Sequence, residues 1–208
     1  MLFHHVPALV QLFFPRYVWH KSRGGKVVYL TFDDGPVPGV TDFVLEQLAR
    51  RGMKATFFMV GDNVVKHTEL ALKVKNQGHQ IGNHTHNHLN GRHYSTEEYL
   101  ENVGKCQSVI TQSLGTAPLL FRPPYGRMKV AQIKAISETH QIIMWDVVSG
   151  DYDPRQNAER CLAKVKQYTR NGSIILFHDQ MKTQKILLAV LPDFLDFIQE
   201  QGYRTALL

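Results

Sequence analysis

The amino-acid sequence predicts one α/β domain with a mainly parallel sheet, and three observations support this prediction. Strand-like apolar runs alternate with helix-like runs roughly seven times along the 208 residues. The 43% hydrophobic content is enough for one sizeable core, and the chain is short for two domains. Polar clusters follow five different predicted strands, which fits the mouth of a barrel better than the single ligand crevice of a doubly wound sheet.

The first half of the chain alternates strand, helix, strand and helix. Residues 27–32 are almost continuously apolar and rich in β-branched and aromatic side chains, as in a strand covered on both faces, and a Gly-Pro pair ends this strand. A helix is predicted over residues 40–50 and a strand over residues 54–60. Asp62 is the expected N-cap of the next helix. The apolar side of that helix would be formed by Val64, Val65, Leu70, Leu72 and Val74.

The second half of the chain continues the same alternation. A short strand over residues 80–83 leads directly into a segment with three histidines. Ser95 and Glu98 have the spacing of a capping box and predict a helix that ends near Gly115. The later predicted elements are strand 119–121, helix 130–138, strand 141–147, helix 157–168, strand 173–177, helix 185–200 and strand 203–207.

Residues 1–25 are predicted to be an N-terminal capping segment, and residues 26–208 a single domain. The first twenty residues are apolar, but Pro7 and Pro15 interrupt them and no basic residue precedes the apolar run, so neither a signal peptide nor a membrane span is expected. We expect a helix or extended segment that covers one end of the core. Peripheral membrane association stays open because of the large apolar side chains Leu9, Leu12, Phe13, Phe14 and Trp19.

The net charge of +6 does not predict nucleic-acid binding, because the basic residues are scattered and no nucleic-acid motif is present. Cys106 and Cys161 lie far apart in predicted helices and are expected to be packed thiols. The sequence leaves the redox compartment and the oligomeric state open.

The residue types that favour chemistry are two adjacent carboxylates and a group of histidines. Asp33 and Asp34 end a predicted strand, and two like charges side by side are costly unless a cation or hydrogen bonds compensate. His84 and His88, four residues apart, would form an open metal site together with a carboxylate; these ligands suit Zn²⁺ first, and Co²⁺, Ni²⁺ or Mn²⁺ on geometry. One aspartate would then bind the ion while its neighbour accepts a proton from water. His86 is expected to point away and be exposed.

Five short motifs occur in order, each after a predicted strand: residues 31–35, 84–88, 122–126, 151–152 and 176–178. Together they resemble the motifs of the polysaccharide deacetylases, carbohydrate esterase family 4, over about residues 26–207. This resemblance implies a distorted (β/α) barrel with seven units and a metal-assisted removal of acetyl groups from sugar polymers.

The resemblance also implies a role for each motif position. The metal ligands would be Asp34, His84 and His88. The catalytic residues would be Asp33 as the base, Arg122 as its partner, His178 as the general acid and Asp151 as the carboxylate that orients the acid. The substrate side would include the Tyr125 N–H as an oxyanion donor, Leu176 as a wall of the acetyl pocket, and Pro123 and Tyr152. Thr85 would steady the histidine segment.

One motif departs from the family pattern. The fourth motif usually closes with Asp-Trp, but here Tyr152 follows Asp151, and Val148 stands where many relatives carry another acid. The shape of that pocket wall, and with it the preferred sugar, stays open. Trp145 lies earlier, on the predicted strand, and whether it compensates also stays open.

The first functional hypothesis is a metal-dependent N-deacetylase that acts on an acetylated glycan or amino-sugar oligomer containing N-acetylglucosamine, such as peptidoglycan or a chitin-like chain. The alternatives are an O-acetyl esterase on xylan-type polysaccharide, an amidase on a small nitrogen compound, and an inactive carbohydrate-binding relative. An inactive carbohydrate-binding relative would not need a general base beside a metal site, and this argues against that alternative. A cytoplasmic location is the default expectation without an export signal, whereas a cell-wall substrate would favour export or the membrane surface.

Overall fold

A computed structural model describes residues 4–208 and contains one sheet flanked by helices. The strands are β1 (Tyr17–Val18), β2 (Val27–Asp33), β3 (Thr56–Met59), β4 (Gln80–Asn83), β5 (Leu120–Phe121), β6 (Gln141–Ile143), β7 (Val147–Val148), β8 (Ile174–His178) and β9 (Arg204–Thr205). The helices are α1 (Ala8–Leu12), α2 (Val40–Arg50), α3 (Gly61–Lys66), α4 (Thr68–Asn76), α5 (Thr96–Leu114), α6 (Val130–Ile136), α7 (Ala158–Tyr168) and α8 (Gln184–Glu200).

The sheet confirms the predicted α/β barrel class. Its strand order is β1-β6-β5-β4-β3-β2-β8-β7, with β9 added to the beginning of β2, and these strands pair in parallel. Strands β2 to β8 curl into a half-barrel. The carboxyl ends of parallel strands meet at one rim, so side chains that follow β2, β4, β5, β7 and β8 are brought together there.

The predicted strand over residues 141–147 is wrong as one element. It is divided into β6 and β7, which belong to opposite ends of the sheet: β6 pairs with β5, and β7 pairs with β8. The N-terminal segment lies against both of these strands, since β1 pairs with β6 and His5 forms an antiparallel bridge with Val147. The segment therefore contacts both β6 and β7, which lie towards opposite ends of the sheet.

Strand β2 is central because both of its faces are covered. Val28, Leu30 and Phe32 are fully buried on one face, and Thr31 and Asp33 are buried on the other. The Phe32 ring stacks against a phenylalanine of β3 at 5.1 Å and one of β8 at 6.0 Å between ring centroids. Burial of a large apolar side chain contributes about 1.5–3 kcal/mol, so this packing stabilises the strand that ends at Asp33.

The helix starts show one confirmed and one wrong prediction. Ser95 and Glu98 form the expected capping box at α5, with backbone-to-side-chain distances of 2.8 and 3.1 Å. Asp62 is not an N-cap, because α3 begins one residue earlier and its first two N–H groups donate to the carbonyls of Thr85 and His86 at 3.0 and 2.9 Å. The predicted long helix is also divided into α3 and α4.

Two further expectations concern membranes and thiols. Within residues 4–208, none of the helices has the length and apolarity needed to span a bilayer. Cys106 and Cys161 are free and buried, as predicted, and burial raises the pKa of the Cys106 thiol to about 12. A thiol with that pKa is unreactive at neutral pH.

Candidate active site and metal centre

The predicted site residues converge on a cavity of about 290 Å³ at the carboxyl end of the sheet. The cavity is lined by Asp33, Asp34, His84, His88, Pro123, Tyr125, Arg127, Trp145, Val148, Tyr152, Leu176, His178 and Gln180. Among the predicted catalytic, metal-binding and substrate residues, only Arg122 and Asp151 are not part of this lining. They lie behind it, where each contacts a lining residue.

Asp34, His84 and His88 form a cluster suited to a divalent cation. One ligand atom from each residue can be chosen so that all three lie within 4.8 Å of one another. The Nε2 atoms of His84 and His88 lie 3.4 and 2.9 Å from Asp34 Oδ1. This oxygen is buried, and no hydrogen bond from the described residues reaches it. An unsatisfied carboxylate oxygen that faces two imidazole nitrogens fits a cation, since two histidines and one carboxylate with an open position are a common zinc ligand set.

The orientation of His84 is set by a backbone group. His84 Nδ1 lies 2.7 Å from the carbonyl oxygen of Arg122, which can only accept a hydrogen bond, so Nδ1 carries the proton. Nε2 of the same ring is therefore directed to Asp34. Burial acts to raise the pKa of Asp34, but His84 and His88 outweigh it and hold this pKa well below its usual range.

The histidine segment is a loop with left-handed backbone positions rather than a helical turn. Thr85 has φ 63° and His88 has φ 54°, and the Thr85 hydroxyl accepts a hydrogen bond from the Leu89 N–H at 3.1 Å. His86 is buried, which contradicts the expected exposure. Its ring lies against the start of α3, where a Cβ on Gly61 would come within 2.5 Å of it. The loop docks on α3 through backbone hydrogen bonds, and this docking buries the middle histidine.

Asp33 is held by Arg122. The two side chains are almost completely buried, and Arg122 Nη1 donates to Asp33 Oδ1 at 2.7 Å. The guanidinium also donates to the Thr31 hydroxyl and to the carbonyls of Ile143 and Met144, at 2.8, 3.2 and 2.8 Å. Because the bond from Arg122 Nη1 occupies Oδ1, Asp33 presents Oδ2 to the cavity, 3.8 Å from His84 Nε2.

The turn after β2 is held in an unusual backbone conformation. Asp34 has φ 82°, a left-handed value that is costly for a residue with a side chain. Asn63 Nδ2 donates to the Asp34 carbonyl at 2.7 Å. The buried Asp179 carboxylate accepts from the Gly35 N–H at 3.1 Å and from the Thr41 hydroxyl at 2.6 Å, and burial raises the pKa of Asp179 to about 8. These partners explain how two adjacent aspartates come to have different surroundings.

Two aromatic rings flank the cavity and remain partly exposed. Tyr125 packs edge-to-face on His88 at 4.8 Å, and Tyr152 packs in the same way on His178 at 5.2 Å. Both rings belong to the predicted set. Such rings offer apolar faces on which a sugar ring can pack.

The sequence analysis missed Gln180 and Arg127 and left Trp145 open. Trp145 lines the cavity because the chain leaves the sheet between β6 and β7, so its ring is not part of a regular strand. Gln180 lies two residues beyond His178, and its side-chain amide reaches Asp34. Its proximity in sequence to the last motif was the only available signal.

The chain is similar to known proteins over most of its length. A family model described as polysaccharide deacetylase matches residues 20–141, more than half of the chain. A peptidoglycan-N-acetylglucosamine deacetylase of Bacillus cereus is 36% identical over 191 residues, which cover 89% of this chain and 88% of that protein. The peptidoglycan-N-acetylmuramic acid deacetylase PdaC of Bacillus subtilis is 31% identical over 182 residues, which cover 86% of this chain and 37% of PdaC.

The fold also matches a solved structure. The crystal structure of the Bc1960 peptidoglycan N-acetylglucosamine deacetylase, in complex with 4-naphthalen-1-yl-N-oxidanyl-benzamide, superposes with a TM-score of 0.88 and 30% sequence identity. The superposition covers 93% of this chain and 91% of that chain.

Proposed function

Because the chain belongs to the polysaccharide deacetylase family, carbohydrate esterase family 4, we propose that it is a metal-dependent hydrolase that removes N-acetyl groups from a glycan containing N-acetylglucosamine. The single observation that carries this proposal is the convergence of the Asp34, His84 and His88 cluster with Asp33 and His178 in one cavity. A binding module would need neither a base nor an acid there.

The cation is the first requirement of the proposal. Asp34, His84 and His88 would hold it, and a divalent ion bound there would polarise the acetyl carbonyl and make water more acidic. Zinc suits this ligand set best, and cobalt, nickel and manganese are alternatives.

Asp33 would act as the general base. Its Oδ1 is occupied by Arg122, so Oδ2 is the oxygen available to take a proton from the attacking water. The ion pair with Arg122 would also fix the direction of the carboxylate. Adjacent aspartates would thus divide two tasks between them, with Asp34 on the cation and Asp33 on the proton.

His178 would act as the general acid. Its Nδ1 contacts Asp151 Oδ1 at 2.7 Å, which leaves Nε2 to carry a proton towards the leaving amine. Burial acts to lower the pKa of His178, but Asp151 outweighs it and the pKa is raised to about 9. A protonated histidine at neutral pH favours cleavage of an amide, because an amine leaves poorly unless it is protonated.

Oxyanion stabilisation and substrate contacts complete the proposal. The backbone N–H of Tyr125 would donate to the developing oxyanion, a role in which loss of one donor costs about a hundredfold or more in rate. Leu176 would form the wall of the acetyl pocket, and Pro123 and Tyr152 would border the sugar. The named activities of the Bacillus relatives support a peptidoglycan-like substrate.

Acetate release tests the proposal. Oligomers of N-acetylglucosamine, peptidoglycan and acetylated xylan are each incubated with the protein as purified, after chelation, and after addition of Zn²⁺. We expect acetate from an amino-sugar substrate, its loss on chelation and its return with Zn²⁺. Release from xylan alone would instead favour an O-acetyl esterase, and no release with retained glycan binding would favour an inactive relative.

A further inference from the structure

Gln180 contacts the candidate metal centre from outside the three ligands. Its Nε2 donates to Asp34 Oδ2 at 2.5 Å, whereas Asp34 Oδ1 faces His84 and His88. The two oxygens of one carboxylate therefore have separate partners. Gln180 also borders both the main cavity and a neighbouring groove on the α3 side, and its side chain is half-buried. A substitution there does not disturb the packing of the hydrophobic core.

A carboxylate can bind a cation through one or both oxygens, and the outcome decides how many positions stay open for water and substrate. An amide that donates to Oδ2 withdraws this oxygen from the ion. We propose that Gln180 is a positioning residue that restricts Asp34 to one ligand oxygen and keeps it aimed at the ion. This inference depends on the proposed metal-dependent function. Partners of this kind typically contribute about 10–100-fold in metal affinity.

The test compares Gln180→Met, which keeps the length of the side chain but cannot donate, with the control Met181→Ala. Met181 is 62% exposed and borders only the neighbouring groove. Zn²⁺ affinity is measured by competition with a chelator, and the visible absorption of the Co²⁺ form reports the number of ligands. We expect Gln180→Met to bind Zn²⁺ about 10–100-fold more weakly and to change the Co²⁺ spectrum, and Met181→Ala to do neither.

The failures can be told apart. Equal Zn²⁺ affinity and an unchanged Co²⁺ spectrum in Gln180→Met would overturn the role of Gln180 while the proposed function stands. A wild-type protein that binds no divalent cation would overturn both. A urea unfolding curve for each variant shows whether a change in affinity comes from a damaged fold.

A second observation concerns the N-terminal segment, and it is independent of catalysis. Residues 9–14 expose five large apolar side chains, at 67%, 40%, 75%, 72% and 43% of their surface: Leu9, Val10, Leu12, Phe13 and Phe14. Five such side chains within six residues are unusual on a protein surface. We call this group the apolar tip.

The apolar tip is fixed to the sheet by aromatic contacts. Phe14 stacks on Tyr17 at 5.5 Å, and Tyr17 packs on the edge of Trp19 at 5.6 Å. Tyr17 itself belongs to β1, which pairs with β6. The exposed side chains are therefore presented by an ordered base.

Basic residues outnumber acidic ones near the apolar tip, and one of them, Arg23, is already paired with the buried Asp146 at 3.0 Å. The first 32 residues contain no Asp or Glu, but they contain the basic residues Arg16, Lys21, Arg23 and Lys26. Arg16 and Lys134 border a groove beside the tip in which Glu138 is the acidic residue. Apolar and aromatic side chains beside cationic ones are the combination that binds the interface of an anionic bilayer.

We propose that the apolar tip binds an anionic lipid surface. The test is co-sedimentation of the full chain with vesicles of phosphatidylglycerol and phosphatidylcholine, and with phosphatidylcholine alone. The double variant Leu12→Ser/Phe13→Ser is compared with Leu119→Ser/Val130→Ser, which changes residues that are 72% and 83% exposed elsewhere on the surface.

We expect wild-type protein and the control to bind the anionic vesicles, with at least about tenfold weaker binding by the tip variant, because two apolar side chains would no longer be buried in the bilayer interface. Equal binding by the tip variant, or no binding by the wild type, would overturn the proposal. Light scattering that shows a tip-dependent dimer would overturn it in favour of self-association.

Discussion

Asp151 accepts two hydrogen bonds from one residue, His178: its Oδ1 contacts the ring Nδ1 at 2.7 Å, and its Oδ2 accepts from the backbone N–H at 2.9 Å. The carboxylate is therefore fixed relative to the imidazole by two hydrogen bonds with the same residue, one to its ring and one to its backbone. This geometry selects the tautomer and turns Nε2 towards the cavity. It also places a negative charge where it stabilises the histidinium.

The first prediction concerns the pH dependence of activity. The pKa of His178 is raised to about 9, so a reaction that needs protonated His178 should lose kcat/KM as the pH rises through about 9. In Asp151→Asn the burial of the ring acts without the opposing charge, so the alkaline limb should move to lower pH. Acetate release measured from pH 5 to 10 gives the alkaline limb of the wild type and that of Asp151→Asn.

Asp153→Asn is the matched control for this shift. Asp153 lies in the same loop, but its carboxylate pairs with Arg155 at 2.8 and 2.9 Å. We expect its alkaline limb to coincide with that of the wild type. An alkaline limb that stays in place in Asp151→Asn would show that another group donates the proton.

The second prediction separates the two adjacent aspartates. Asp33→Asn should lower kcat by about 10²–10⁴-fold while bound Zn²⁺ is retained, because the base is lost and the ligands are intact. His84→Ala should lose bound metal, because one of three ligands is removed. Metal content by atomic emission and kcat from acetate release check both. Equal metal loss in the two variants would mean that the tasks of Asp33 and Asp34 are assigned wrongly.

The third prediction concerns the stability that Arg122 provides. Arg122→Met should lower the free energy of unfolding by about 3–5 kcal/mol, because it leaves the buried Asp33 carboxylate without its partner. Arg50→Met is the control, since Arg50 forms an exposed pair with Glu46 and should change stability by no more than about 0.5 kcal/mol. Urea unfolding curves measure both. Similar losses in the two variants would contradict a special role for the buried pair.

The fourth prediction concerns the turn that carries the aspartates. A Cβ at position 35 would lie 2.1 Å from Asp179 Oδ2, so Gly35→Ala should lower the free energy of unfolding by about 1–3 kcal/mol. Gly104→Ala is the control, because no atom lies within 4 Å of its added Cβ, and Ala is favoured over Gly in α5 by up to about 1 kcal/mol. The two substitutions should have opposite signs in urea unfolding. A stabilising Gly35→Ala would show that the turn and Asp179 adjust freely.

Predictions for local elements succeeded where a single short stretch carries the physical cause. The continuous apolar run of β2 predicted a strand covered on both faces, and the spacing of Ser95 and Glu98 predicted the start of α5. The prediction failed at Asp62, because the N–H groups that an N-cap would satisfy are satisfied by the histidine loop. It failed for the strand over residues 141–147 because pairing partners at opposite ends of the sheet divide it.

The sequence by itself determined the alternation of strands and helices, the family motifs and the residues that carry the proposed chemistry, because these depend on side-chain type and on spacing along the chain. Only the tertiary structure decided that Asp34 Oδ1 faces two imidazoles, that Arg122 and Asp151 lie behind the cavity, and that His86 is buried. It also brought Gln180 to Asp34. These relationships join residues distant in the chain, and the packing of loops at the rim of the half-barrel sets the distances between them.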